Sequence, residues 1–238
     1  MNNKYDVIII GAGAAGLMCS FEAGKRGKKV CLLEHSSKIA EKIRISGGGR
    51  CNFTNLFSTD NNFISDNKHF CKSAFAKYTQ NDFIDLVKKH NIQFFEKKLG
   101  QLFCIKSAKD IIDMLVTECI SQKVEIFIDT KIKNLSKDEN SYIVNTDKGT
   151  ISSPSIVIAT GGLSIPKIGA TDFGYQIAKQ FNLKVTELTP ALVPLVFEKD
   201  ILDFCKSLAG TSLNASIKIN KTVFKEGLIF THRGLSGP

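Results

Sequence analysis

Gly11-Ala12-Gly13-Ala14-Ala15-Gly16 follows directly on an apolar run at residues 5–10, and a second apolar run, residues 30–33, ends at Glu34. Glycines at this spacing bring a backbone against a phosphate. An acid at the end of the next strand accepts hydrogen bonds from a ribose diol. Gly11 permits the tight turn, Gly13 the approach to a pyrophosphate, and Gly16 the close packing of helix on sheet. Ala14 and Ala15 then open a helix whose unpaired N–H groups favour negative charge. The chemistry is adenine dinucleotide binding. Glu34 would repel a 2′-phosphate, which excludes NADP from this position. A glycine-rich turn without a ligand explains the glycines, but not the order strand, turn, helix, strand, acid.

Two further groups of residues lie downstream. Ser46-Gly47-Gly48-Gly49-Arg50-Cys51-Asn52 sits inside residues 35–67, which read as one long loop. A loop of that length in a compact domain usually carries function. Thr160-Gly161-Gly162 follows an apolar run at 155–159. The seven cysteines include no C-x-x-C and no metal-like spacing, so no metal site is expected. Cys19, Cys31 and Cys119 fall on apolar stripes and read as core. Cys51, without a nearby second Cys, reads as packing beside its loop rather than as a redox thiol. No Ser-His-Asp set or carboxylate pair stands out, and no catalytic residue is assigned.

The elements that must position these residues are legible from periodicity. Residues 14–26, 79–91, 107–122 and 171–181 read as helices. Thr79…Asp82 and Ser107…Asp110 resemble capping boxes, and Ile111, Ile112, Leu115, Val116, Cys119 and Ile120 form one apolar stripe. Residues 124–128 read as a buried strand, and 132–135, 142–146 and 150–152 as an antiparallel meander. From residue 188 the pattern reads as all-β, with strands at 192–197, 213–219 and 222–231. The expected fold class is α/β: a Rossmann-like FAD/NAD(P)-binding domain with a β-meander at 1–187, then the start of a β-rich, barrel-like insert domain at 188–238.

Three features select FAD over NAD. The fingerprint stands at the N-terminus, the meander leads into Thr160-Gly161-Gly162 as in two-dinucleotide-fold flavoproteins, and the loop after Glu34 suits a bulky ligand. The chain carries +9 net charge, but only Arg26, Arg44, Arg50 and Arg233 of its 32 basic residues are Arg, and the excess is spread along the chain. A nucleic-acid binder concentrates its charge on a face or tail. The expected partner is therefore a small-molecule substrate, with no nucleic acid and no membrane, and the oligomeric state stays open. The absence of a signal peptide and of a long apolar run points to the cytoplasm.

Residues 42–55, KIRISGGGRCNFTN, carry a resemblance to the BaiN/YhiN-like (aminoacetone oxidase-like) NAD(P)/FAD-dependent oxidoreductases. Ile158-Ala159-Thr160-Gly161-Gly162 with Pro166 and Gly169, Thr189-Pro190-Ala191-Leu192-Val193-Pro194-Leu195, and Phe230-Thr231-His232-Arg233-Gly234-Leu235-Ser236-Gly237-Pro238 extend it. The resemblance implies that Gly11, Gly13, Ala14, Ala15, Gly16 and Glu34 hold the AMP and pyrophosphate of FAD. It implies that Lys42, Ser46, Gly47, Gly48, Gly49 and Arg50 wrap the flavin side, with Cys51 and Asn52 beside them. Arg50 is a candidate for a phosphate or a developing flavin anion. Analogy of fold adds Ile132 near adenine and Thr160, Gly161 and Gly162 at the cofactor. Ala40-Glu41 stands where the family usually has Gly-Arg, which removes one phosphate contact. His232 and Arg233 read as a structural turn or a substrate contact.

The expected activity is FAD-dependent oxidoreduction: NAD(P)H reduces the flavin, which passes hydride to a small organic acceptor or oxygen. The alternatives are an FAD-dependent RNA-modifying enzyme, which needs a basic face near the flavin, and a flavin-binding protein without activity. The family continues beyond the position of Pro238, so these residues are expected to be the N-terminal part of a longer flavoprotein.

Overall fold

The computed structural model describes residues 4–190 and 193–237; Ala191, Leu192 and Pro238, which carry part of the expected domain-entry strand and the chain end, lie outside the described residues. The chain divides into two compact units, Met1–Lys184 and Val185–Pro238. The first unit opens with β1 (Val7–Ile10), α1 (Ala14–Lys25) and β2 (Val30–Leu33). Next come α2 (Glu41–Ile45), β3 (Asn52–Asn55), α3 (Lys72–Lys77), α4 (Gln80–Lys89), β4 (Phe94–Glu96) and β5 (Gln101–Cys104). It closes with α5 (Lys109–Ser121), β6 (Glu125–Phe127), β7 (Ile132–Lys137), β8 (Tyr142–Thr146), β9 (Gly149–Ser153), β10 (Ser155–Ile158) and α6 (Phe173–Gln180).

β10, β1, β2 and β6 form, in that order, a parallel sheet. β1 and β2 are apolar at every position because both faces of this sheet are covered. Val7 and Ile9 share one core with Leu17 and Phe21 of α1 and Met114, Leu115 and Cys119 of α5. Ile8 and Ile10 share a second core with Leu135, Val144 and Ile151 of the meander and Ile177 of α6. The result is three layers: helices, parallel sheet, meander. Each fully buried Ile, Leu or Phe contributes about 1.5–3 kcal/mol. The Rossmann-like expectation holds, and the meander β7–β8–β9 pairs antiparallel as expected.

Several expectations need correction. Residues 35–67 are not one loop: they contain α2, β3 and two short 3₁₀ turns, and β3 pairs with β5 in a small β3–β5–β4 sheet. The box at Thr79 forms, with the Thr79 N–H donating to Asp82 Oδ2 at 2.6 Å. The one at Ser107 does not, because Ala108 is the N-cap and Ser107 Oγ accepts from the Lys109 N–H at 3.1 Å. Ile120 is 64% exposed, whereas Met114 and Glu118 are buried. Burial raises the Glu118 pKa, but hydrogen bonds to His90 and Lys89 outweigh it and hold the carboxyl below its ordinary value. His90 Nε2 lies 2.7 Å and Lys89 Nζ 2.9 Å from Glu118 Oε1.

The second unit is not all-β. It contains β11 (Leu195–Val196), α7 (Lys199–Ser207), β12 (Ser212–Ile219), β13 (Thr222–Thr231) and β14 (Gly234–Ser236). The strands form an antiparallel sheet in the order β11–β14–β13–β12. Ile201, Phe204, Cys205 and Leu208 recur at helical spacing, and Cys205 is buried. His232 and Arg233 form the turn between β13 and β14, where the Arg233 N–H donates to Thr231 Oγ1. Among the described residues, no helix is long and apolar enough to cross a membrane, and no cluster of three or more His, Cys, Asp or Glu could hold a metal ion.

Candidate dinucleotide site

A cavity of about 1300 Å³ opens in the first unit where β1 and β10 lie side by side. This is where strand order reverses in such sheets, and ligands bind outside the carboxyl ends of the strands there. Gly11, Gly13, Ala14 and Ala15 line it from the turn after β1, and Thr160, Gly161 and Gly162 from the turn after β10. Glu34 lines it from the end of β2, and Ile132 from the start of the meander. Lys42, Ser46, Cys51 and Asn52 line it from the α2–β3 segment. Gly16, Gly47, Gly48, Gly49 and Arg50 lie outside its wall.

Gly16 stands behind the turn for a steric reason. A Cβ there would enter the shell of the Gly11 carbonyl oxygen. Gly13, the N-cap of α1, faces the opposite situation: a Cβ on it would meet nothing within 4 Å. No side chain caps α1, and its first turn contains no acid. The first N–H groups of a helix have no intrahelical partner, and here they open toward the cavity. Thr160 lines the cavity, but its Oγ1 is buried against Gly174 of α6, without a hydrogen-bond partner among the described residues. An open cradle and free N–H donors fit the pyrophosphate portion of FAD.

Glu34 is 8% exposed and already engaged. Its Oε2 accepts from the Ala12 N–H at 2.8 Å, and its Oε1 accepts from the Ser36 N–H and Oγ, each at 3.0 Å. His35 Nδ1 lies 3.0 Å from the same Oε1. A carboxylate has about four acceptor sites, so Oε2 retains one for a ribose hydroxyl. Glu34 therefore also ties the fingerprint turn to β2. Glu34→Ala is expected to lower FAD affinity at least tenfold. It should also destabilise the unit by about 1–3 kcal/mol, because the Ala12 N–H loses its partner. Fluorescence titration and urea unfolding measure the two losses, and an unchanged affinity would remove Glu34 from the site.

Ser46–Gly49 makes a short 3₁₀ turn in which Gly47 and Gly48 have φ of +58° and +66°. At Gly47 a Cβ would also stand 2.7 Å from the Phe103 ring, while at Gly48 it would meet open space. The turn is fixed from outside: the Cys104 N–H donates to the Arg50 carbonyl at 2.9 Å and the Ala108 N–H to the Gly49 carbonyl at 2.7 Å. Gly48→Val therefore acts through backbone strain, about 1–2 kcal/mol for a left-handed residue, and not by collision with a ligand. The expected result is partial loss of bound flavin through displaced Ser46 and Cys51, with near-normal far-UV circular dichroism. Full flavin content per polypeptide would show that this turn does not shape the site.

Arg50 is exposed and makes no ion pair among the described residues. Glu41, by contrast, pairs with Arg44. Burial pushes the Cys51 thiol above its ordinary value, against a hydrogen bond with Ser46, and pushes Cys104 up to about 12, aided by Cys51 and Asp110. Neither is a thiolate at neutral pH. Among wall residues with no expected role are His35, Thr130, Phe63, Phe75, Tyr78 and Phe173. His35 follows Glu34 directly, and the Thr130 N–H donates to the Glu34 carbonyl at 2.9 Å. Only adjacency to Glu34 could have marked His35, and Thr130 carries no local sign.

The family described as HI0933-like protein Rossmann domain matches residues 5–227. A curated relative from Escherichia coli (strain K12), "Ribosomal RNA dihydrouridine synthase", is 50% identical over 236 residues, 99% of this chain and 59% of that protein. A second, the "3-dehydro-bile acid delta(4,6)-reductase" of Clostridium scindens (strain ATCC 35704 / DSM 5676 / VPI 13733 / 19), is 24% identical over 213 residues, 88% of this chain and 51% of that protein. The chain thus spans between half and three-fifths of the curated relatives it matches. The solved structure of a 3-ketosteroid-delta4-(5alpha)-dehydrogenase from Rhodococcus jostii RHA1 has a TM-score of 0.50 at 15% identity. It covers 68% of this chain and 46% of that one, a likeness of fold alone.

Proposed function

The chain belongs to the HI0933-like protein family, and from that premise we propose that it holds FAD in the cavity between β1 and β10 and reduces a uridine in RNA. The observation that carries this reading is the 50% identity, over nearly the whole chain, to a protein whose name is that of a ribosomal RNA dihydrouridine synthase. It departs from the expectation of no nucleic-acid partner, which rested on the spread of charge along the chain. Bound there, FAD would supply a hydride-donating redox centre, recharged by NAD(P)H in the reducing cytoplasm.

The residues of the chain bind and orient. The N-terminus of α1 offers N–H donors to the pyrophosphate, and Glu34 Oε2 accepts from a ribose hydroxyl. Phe53, Phe75 and Phe83 wall the cavity with apolar surface that excludes water. A uracil ring becomes dihydrouracil by gaining one hydride and one proton across C5 and C6. Tyr78, whose phenol burial pushes up to about 12 with Asp82 and Glu22 adding to it, keeps its proton at neutral pH.

The test incubates the full-length protein, FAD and NAD(P)H with ribosomal RNA that lacks dihydrouridine. Nucleoside mass spectrometry is expected to find a uridine heavier by two hydrogens. A second reading, reduction of a small organic acceptor as in BaiN/YhiN-like enzymes, is favoured by the similarity to the bile acid reductase. Oxidation of NAD(P)H by an enone but never by RNA would decide for it.

A further inference from the structure

Resting on the RNA reading above, we propose that residues 56–79 are the docking surface for a single RNA strand, holding it by stacking and by phosphate contacts at the mouth of the cofactor cavity. The chain leaves β3 and returns to α4, where Gln80 Nε2 donates to the Leu56 carbonyl at 3.0 Å. Between those points it folds on itself. The Phe63 and Phe75 rings meet edge-on at 5.1 Å, Cys71 Sγ lies 3.6 Å from the Asp60 carbonyl, and Lys72 Nζ lies 3.9 Å from Asp60. Phe63 and Phe75 face the cavity. Every residue from 61 to 70 is exposed.

The outer face is unusual for a surface segment. Phe57 is 69%, Ile64 100% and Phe70 78% exposed. Lys68 and Lys77 of the same segment have no carboxylate partner among the described residues, and Asp60 is tied to Lys72. Lys38 and Lys42 extend the positive charge along the cavity wall, also without ion pairs among the described residues. Asp66 is the carboxylate of residues 56–79 outside any ion pair among the described residues, and against Lys68, Lys77, Lys38 and Lys42 it leaves the free charge positive. Flat apolar rings beside unpaired lysines match a strand that offers base faces and phosphates. The reaction also demands such a surface. A uracil inside stacked RNA cannot reach into a cavity, so it must leave its stack, and the neighbouring bases then need replacement stacking.

The test uses the full-length, FAD-loaded protein and a fluorescein-labelled oligouridylate. The pair Ile64→Ser with Phe70→Ala is expected to weaken binding at least tenfold. The pair Lys68→Gln with Lys77→Gln should flatten the slope of log affinity against log salt by about 1.4. In both pairs, flavin content and reduction of the flavin by NAD(P)H should stay at the wild-type level. Wild-type affinity in the variants overturns the proposal, as does failure of the wild-type protein to bind the probe. Protection of Phe57 and Phe70 from hydroxyl radicals in the RNA-free protein also overturns it, because the rest of the chain or a second copy then covers the face. Probe binding that the variants weaken, without reduction of any uridine, supports the docking surface and overturns only the reaction.

Discussion

Gly13→Asp is expected to leave a colourless protein that is as stable as the parent. Gly13 is the N-cap of α1, with φ −81° and ψ −171°, an extended conformation that aspartate adopts freely. A Cβ there meets no atom within 4 Å. Aspartate is also among the best N-caps, so the helix gains a partner for its free N–H groups. The same carboxylate then occupies the place offered to the pyrophosphate and opposes its charge across a short distance. FAD affinity should fall at least a hundredfold, about 2.7 kcal/mol, while the urea midpoint stays level or rises. Visible absorbance per polypeptide and urea unfolding give the two numbers. A yellow variant would show that the phosphates bind elsewhere.

Gly16→Val should do the reverse. The new Cβ would fall inside the shell of the Gly11 carbonyl oxygen, with the Ala159 Cβ 3.5 Å away. Neither neighbour can yield: Ala159 donates its N–H to the Ile10 carbonyl at 2.8 Å, and Gly11 donates its N–H to the Leu33 carbonyl at 2.8 Å. α1 would have to lift off β1 and expose Leu17 and Phe21. Overpacking of this kind usually costs about 1–3 kcal/mol and more where backbone is struck, so a loss of about 3 kcal/mol or greater is expected. The urea midpoint measures it directly. A variant that unfolds at the wild-type midpoint would mean that α1 packs less tightly on β1 than the structure shows. Two glycines three residues apart thus separate ligand space from packing space.

The sequence made this turn legible because every part of it is local. Glycine spacing, the apolar runs of β1 and β2, and Glu34 all fall within one short stretch, and covered faces leave β1 and β2 no polar position to confuse the pattern. The α2–β3 segment was not legible. α2 is five residues long and half-exposed, without apolar periodicity, and β3 exists through pairing with β5, about fifty residues further on. Ile120 misled for another reason: Glu118 takes a buried place on α5 because His90 and Lys89 reach it from α4, which no local pattern records. α7 could have been read, since Ile201, Phe204, Cys205 and Leu208 keep helical spacing; the turn-rich flanks and the strands around it concealed it. In the site, His35, Thr130 and the aromatic wall at 63–83 converge only through the tertiary fold.

The pairing of Val7 with Ser155 has a consequence for synthesis on the ribosome. β1 leaves the exit tunnel early and finds β2 soon after, but its other edge waits until β10 has been made. Through that interval an entirely apolar strand offers open N–H and C=O groups to other nascent chains. The turn at Thr160-Gly161-Gly162 emerges later still, so FAD cannot assist the early stages of folding. A nascent chain arrested before residue 155 is therefore expected to depend on chaperones, and one arrested well beyond residue 180 to resist protease.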